Sequence, residues 1–110
     1  MGDLEIVGLG PAGLDRLPAD VRQRLLTTPQ LVLRTVRHPA AEQLAAGREV
    51  IACDDLYDRA DDFDSTYEAI VARVVAAAQS GPTIYAVPGS AVVGERTVTA
   101  VLAAAGESGL

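Results

Sequence analysis

Six residues near the N-terminus, Gly8-Leu9-Gly10-Pro11-Ala12-Gly13, place three glycines and a proline directly behind the apolar run Leu4-Glu5-Ile6-Val7. Glycines in such a pattern let a ligand approach the backbone, because no Cβ shields the peptide N–H and C=O groups. The same residues also suit a tight turn that binds nothing, so their surroundings must decide. A second small-residue stretch, Pro88-Gly89-Ser90-Ala91-Val92-Val93-Gly94, follows the apolar run Thr83-Ile84-Tyr85-Ala86-Val87. Between the two stretches, Arg34, Arg37 and His38 form a compact basic group. It could face an anion or a substrate, with His38 able to change charge near neutrality. The alternative is a solvated loop in which His38 precedes Pro39 as a turn residue.

Other reactive residue types give weaker signals. Asp54, Asp55, Asp58, Asp61, Asp62 and Asp64 could hold Mg²⁺ or Ca²⁺ by sheer density. The calcium-loop spacing, with its glycine and terminal glutamate, is missing, and no metal site is expected. Acidic residues before and within a first helical turn also favour the helix dipole, and a solvated, capping role is assigned to them. Cys53 is the sole cysteine, so an internal disulfide is excluded. With no acid–base partner identifiable in the sequence, it reads as a small buried or semi-buried side chain rather than a nucleophile. Ser90 lacks the Gly-x-Ser-x-Gly elbow of a hydrolase. Tyr57 and Tyr67 flank the acidic run and read as core or interface packing. No catalytic nucleophile or general base is assigned.

The elements that must carry these residues alternate. Strands are expected at Leu4–Gly8, Leu31–Thr35, Glu49–Ala52 and Thr83–Val87, all rich enough in Val, Leu and Ile to be covered on both faces. Pro18 suits the first turn of a helix with Val21, Leu25 and Leu26 on its apolar side. Pro39 opens a second helix through Leu44, ended by Gly47. Tyr67, Ile70, Val71, Val74, Val75 and Ala78 recur at spacings of three and four, one buried helical stripe. Ser65 and Glu68 have capping-box spacing at its start, and Gly81-Pro82 stops it. A fourth helix starts near Gly94, with Val98, Val101, Leu102 and Ala105 inward and Gly106 as its C-terminal signal. Strand followed by helix, four times over, implies an α/β fold with a mostly parallel sheet, a Rossmann-like three-layer domain. The last residues, Gly106 to Leu110, look like a turn toward a fifth strand, so the chain is expected to be an excised portion of a longer protein.

Composition narrows the function classes. The 110 residues suit one domain with one modest core. Only 4% are aromatic, so Val, Leu, Ile and Ala must fill it. The net charge is −6 and every basic residue is arginine, which leaves no surplus positive charge for unspecific nucleic-acid binding. No apolar run approaches the ~20 residues of a membrane span. No basic segment leads into an apolar one at the N-terminus, so a signal peptide is not expected. These features imply a soluble, cytoplasmic protein.

A dinucleotide fingerprint is the first candidate for the hexad, and two requirements fail. The helix holding the pyrophosphate should begin within the hexad, whereas Pro18 would clash in its early turns. An acidic residue should close the next strand to bind ribose, whereas Arg34-Thr35-Val36-Arg37 follows it.

Four blocks together, Gly8–Gly13, Leu33-Arg34-Thr35-Val36-Arg37-His38-Pro39, Asp54-Asp55-Leu56-Tyr57 and Tyr85–Val98, resemble the N-terminal domain of the tetrapyrrole (corrin/porphyrin) methylase superfamily. Within it they are most similar to the YabN-like branch fused to a MazG-type nucleotide pyrophosphohydrolase. The resemblance covers nearly the whole chain. It implies a two-domain fold that holds S-adenosylmethionine between domains and methylates a tetrapyrrole-like small molecule. Position by position, it carries cofactor binding to Gly8, Gly10 and Pro11 in the first loop and to Pro88, Gly89, Ser90 and Val93 in the second. It also favours a substrate-facing role for Arg34, Arg37 and His38. Departures are clear: Ala12 and Gly13 stand where the family commonly has Gly-Asp, Ser90 where corrin methylases carry Asp, and Ala91 where a proline is usual. The family's second domain and any MazG domain are absent from these residues, so this portion alone is expected to be inactive. Family members pair as homodimers, and the same is expected here. The rival readings are a non-catalytic regulatory or dimerisation module of a MazG-type nucleoside triphosphate pyrophosphohydrolase, and a flavin- or NAD-binding Rossmann fragment.

Overall fold

Four short apolar runs pair side by side, all parallel, in the order β1-β4-β2-β3. A computed structural model describes residues 4–46, 48–59, 63–89 and 96–107. The strands are β1 (Leu4–Gly8), β2 (Gln30–Leu33), β3 (Ile51–Ala52) and β4 (Thr83–Val87). The helices are α1 (Ala19–Thr27), α2 (Pro39–Ala46), α3 (Asp54–Arg59), α4 (Phe63–Ser80) and α5 (Arg96–Glu107), with one 3₁₀ turn at Leu14–Arg16. The fold is α/β with a parallel sheet between two helical layers.

Strand side chains alternate between two cores. Val7, Leu31, Leu33, Ile84 and Ala86 pack with Leu25 of α1 and with Ala40, Ala41 and Leu44 of α2. Val32, Tyr85 and Val87 face the other way, toward Ile70, Val74 and Ala77 of α4 and Val98 and Val101 of α5. β4 lies centrally and is buried at all five positions, which explains its predominantly apolar composition.

The sharing of helices between the faces follows from the handedness of β-α-β crossovers. Steps from β1 to β2 and from β2 to β3 move the same way across the sheet. A right-handed crossover therefore puts α1 and α2 on one face. The return from β3 to β4 reverses direction, and α3 and α4 must cross the opposite face. β1 and β4 are neighbours in register from Leu4–Thr83 to Gly8–Val87, yet the chain leaves them toward opposite faces. That divergence is a switch point in the strand order, and open α/β sheets take ligands beside the carboxyl ends of strands at such a point.

Several local expectations need correction. β2 stops at Leu33 and β3 shrinks to Ile51–Ala52, which pair with Val32 and Leu33. Residues Asp54–Arg59 form α3, a helix that apolar spacing does not reveal. α4 already begins at Phe63, so Ser65 and Glu68 lie inside the helix rather than boxing its start. Gly106 does not act as a left-handed stop: α5 runs through Glu107, and the positive-φ glycines among the described residues are Gly10 and Gly89. Gly47 and Gly94 lie outside the described residues. No described helix is long and apolar enough to cross a membrane.

Arg48 closes α1 from a distance. Its Nη1 donates to the Leu25 and Leu26 carbonyls at 2.9 and 3.3 Å, and Nη2 donates to Thr28 O at 2.7 Å. The guanidinium thus satisfies carbonyls that a helix end leaves open and complements the dipole. Arg48→Met is expected to cost about 1–2 kcal/mol and lower the thermal midpoint by several degrees. Arg48→Lys should recover part of the loss, since an ammonium lacks the planar fork.

Candidate functional site

Both glycine-rich stretches turn at the carboxyl edge and meet. The β1–β4 ladder continues one step past the strands through Leu9 N–H donating to Val87 O at 2.8 Å. The chains then swing to an antiparallel arrangement. Gly10 N–H donates to Gly89 O at 2.9 Å, and Gly89 N–H donates to Gly10 O at 3.3 Å. Both glycines are left-handed, with φ of 66° and 68°. An L-residue there carries about 1–2 kcal/mol of strain, which explains glycine at each. Among the described residues, no atom beyond the glycine's own chain neighbours lies within 4 Å of where a Cβ would stand at either position. Among the described residues the bridge therefore has an open flank as well as a special backbone.

The third glycine of the hexad has another reason. Gly13 has an ordinary backbone, φ −78°. A Cβ there would lie 2.9 Å from Gln43 Oε1, which accepts the Leu14 N–H at 2.7 Å. Gly13 makes room for Gln43 of α2 to brace the turn.

His38 joins the third carboxyl-edge loop to this bridge. It is 8% exposed and sits at the N-cap of α2. Its Nδ1 accepts the Ala40 N–H at 3.1 Å, while Nε2 meets the Gly10 carbonyl oxygen. Arg37 is exposed, its backbone N–H donating to Thr35 Oγ1 at 3.0 Å. Arg34 is half-buried, and its backbone N–H extends the sheet ladder to Ala86 O at 3.1 Å. The expected basic cluster thus divides into three environments, with His38 turned inward to the first glycine turn.

Among the other expected cofactor residues, Gly8 pairs with Val87 at the end of β1. Pro11 is exposed and Pro88 half-buried on the two turns. Ser90 and Val93 lie outside the described residues.

Two residues behind this edge were not identified as supports in the sequence. Gln43 carries no sequence signal beyond its helix. Asp54 was grouped with the solvated acids, yet its Oδ2 accepts the Val36 N–H at 2.9 Å and so holds the loop that carries His38. Asp55 also departs from a purely solvated role. It pairs with Arg73 of α4 at 2.7 Å, and Arg73 Nη1 also donates to Ala52 O at 2.7 Å. Among the described residues, no three His, Cys, Asp or Glu side chains converge as metal ligands.

Cys53 is buried at 0% exposure between β3 and α3. Burial pushes its thiol up to about 11, outweighing the Arg73 guanidinium, which pulls the other way. A protonated, enclosed thiol is not a nucleophile at neutral pH.

No protein-family model matches the chain. Over 98 residues it is 36% identical to the uncharacterized protein YabN of Bacillus subtilis (strain 168), an alignment covering 88% of this chain. The same alignment covers 20% of YabN, so the chain spans about a fifth of the curated relative's length.

Two outcomes follow from this geometry. Gly13→Ala should destabilise the wild-type chain by displacing Gln43, and become neutral or stabilising in a Gln43→Ala background. The coupling is about 1 kcal/mol in a denaturant-melt double-mutant cycle. The Cys53 contribution should be intact below the unfolded thiol's value of 9.0 and fall away as pH rises toward about 11. Between those values the unfolded state ionises first, so stability drops with pH, and Cys53→Ala should flatten that drop in pH-dependent melts.

Proposed function

We propose that the chain is the cofactor-side domain of a tetrapyrrole-methyltransferase-like protein that uses S-adenosylmethionine and works within a longer polypeptide. The observation that carries this reading is the hydrogen-bonded pair of left-handed glycines, Gly10 and Gly89, whose Cβ positions no described residue beyond their chain neighbours approaches. It lies where β1 and β4 send the chain to opposite faces of the sheet, the usual ligand position in open α/β folds. Four sequence blocks in the superfamily's order support the same assignment.

The bridge also favours this ligand over a dinucleotide. α1 begins at Ala19, beyond a 3₁₀ turn, so the first crossover helix does not open within the hexad as a pyrophosphate-holding helix would. A sulfonium compound has no such requirement. Gly8, Gly10, Pro11, Pro88 and Gly89, with Ser90 and Val93, would hold it. Bound there, S-adenosylmethionine supplies a methyl group already activated by its sulfonium sulfur. The protein then needs no covalent nucleophile. Its share is to orient donor and acceptor and keep water out, and proximity provides most of the acceleration. Arg34 and Arg37 would meet an anionic edge of the acceptor.

One observation favours a second reading, a non-catalytic regulatory or dimerisation module of a MazG-type pyrophosphohydrolase. The N–H and C=O groups of Gly10 and Gly89 bond each other, so these four groups already have partners. Calorimetric titration separates the readings. S-adenosylmethionine should bind saturably to the full-length gene product and at most weakly to the 110-residue chain, which would supply half the cleft. Absence of binding to the full-length protein would overturn the methyltransferase reading. Tight binding to the short chain would overturn the half-site.

A further inference from the structure

The hydrogen bonds around His38 determine which of its nitrogens carries the proton. Ala40 N–H is a donor, so Nδ1 must present its lone pair. The Gly10 oxygen is an acceptor, so Nε2 must carry the hydrogen. A cationic imidazole would set an Nδ1–H against the Ala40 N–H, and the opposite tautomer would fail at both ends. At 8% exposure, little water is at hand to replace either bond.

The Gly10 oxygen therefore has two donors. One is His38 Nε2–H and the other is Gly89 N–H, the longer rung of the bridge at 3.3 Å. A carbonyl oxygen has two lone pairs, so both donors can be accommodated. His38 is also tied behind: its carbonyl accepts the Glu42 N–H at 2.8 Å as α2 begins, and Asp54 holds the Val36 N–H two residues upstream. The imidazole thus connects a packed helix to a turn whose glycines would otherwise allow many conformations.

We infer that His38, fixed as its neutral Nε2–H tautomer, is the positioning residue of the Gly10–Gly89 bridge, tying together the roots of the carboxyl-edge loops that follow β1, β2 and β4. This goes beyond the methyl-donor reading and holds for any ligand that edge accepts, since it concerns bonds within the chain. An edge set in advance spares a ligand the entropy of ordering it. His38 acts through Gly10 and has no need to touch the ligand itself.

Two variants separate its two bonds. His38→Asn keeps an acceptor where Nδ1 stands and can still cap Ala40, but it is too short to reach Gly10. His38→Gln offers an amide N–H toward Gly10 and leaves the Ala40 bond unmet. Amide hydrogen exchange by NMR on the 110-residue chain reads each bond. In His38→Asn, the Gly10 and Gly89 amides should exchange about fivefold faster or more, with Ala40 unchanged. In His38→Gln, protection at Gly10 and Gly89 should return while Ala40 exchanges faster. Unchanged exchange at Gly10 and Gly89 in folded His38→Asn would overturn the inference. Should either variant not fold, imidazole ¹⁵N spectra of the wild-type chain decide. A single Nε2–H tautomer is expected at neutral pH, and an Nδ1–H form or an averaged mixture would overturn it. Neither readout depends on S-adenosylmethionine, so its failure is distinct from failure of the proposed function.

Discussion

Two glycines far apart in the chain exchange backbone hydrogen bonds where two parallel strands end, and the carboxyl edge is organised around that exchange. Parallel strands cannot continue as an antiparallel pair unless both chains turn sharply as they leave the sheet. Gly10 and Gly89 make those turns in a left-handed conformation that side chains resist. The bridge holds the first and last loops together at their roots while the chains above them diverge to opposite faces. His38 attaches the β2–α2 loop to the same point. Gln43 and Asp54 stand behind it, each accepting one loop N–H.

This support comes from the packing of the layers. α2 lies on the sheet through Ala40, Ala41 and Leu44, small enough at two of three positions to sit close. That closeness lets Gln43 reach the hexad and puts its Oε1 2.9 Å from where a Cβ of residue 13 would stand. On the other face, Arg73 links α4 to α3 and to the end of β3. Cys53 is enclosed behind that link, and its desolvation outweighs the nearby cation. The charged residues of this region work mainly as ties between elements, which suits an edge whose shape matters more than its reactivity.

Much of the architecture was legible because burial on both faces leaves a strong mark. The bounds of β1 and β4 coincide with their apolar runs, and Gly81-Pro82 stops α4 at Ser80. Pro18 stands at the N-cap of α1, one residue before the helix it was read as opening. Where side chains do not face a core, the reading slipped. α3 is an acidic helix without apolar periodicity, held by Arg73 and the dipole. Ser65 and Glu68 have the spacing of a cap, but α4 already runs from Phe63, so both lie within it. Gly106 resembles a helix stop, yet helical hydrogen bonding continues past it.

The amino-acid order by itself determined the alternation of strands and helices, the parallel sheet and the placing of two glycine-rich turns and a histidine at one edge. These follow from local periodicity and from the handedness of crossovers, which are properties of short stretches of chain. The partners chosen at that edge could not be read the same way. Gly10 bonds Gly89, His38 turns inward to Gly10, Gln43 claims Leu14, and Asp54 claims Val36, each across a long interval of sequence. A donor's nearest acceptor is set by how layers pack at ångström precision, and only the folded chain brings those groups within reach of one another.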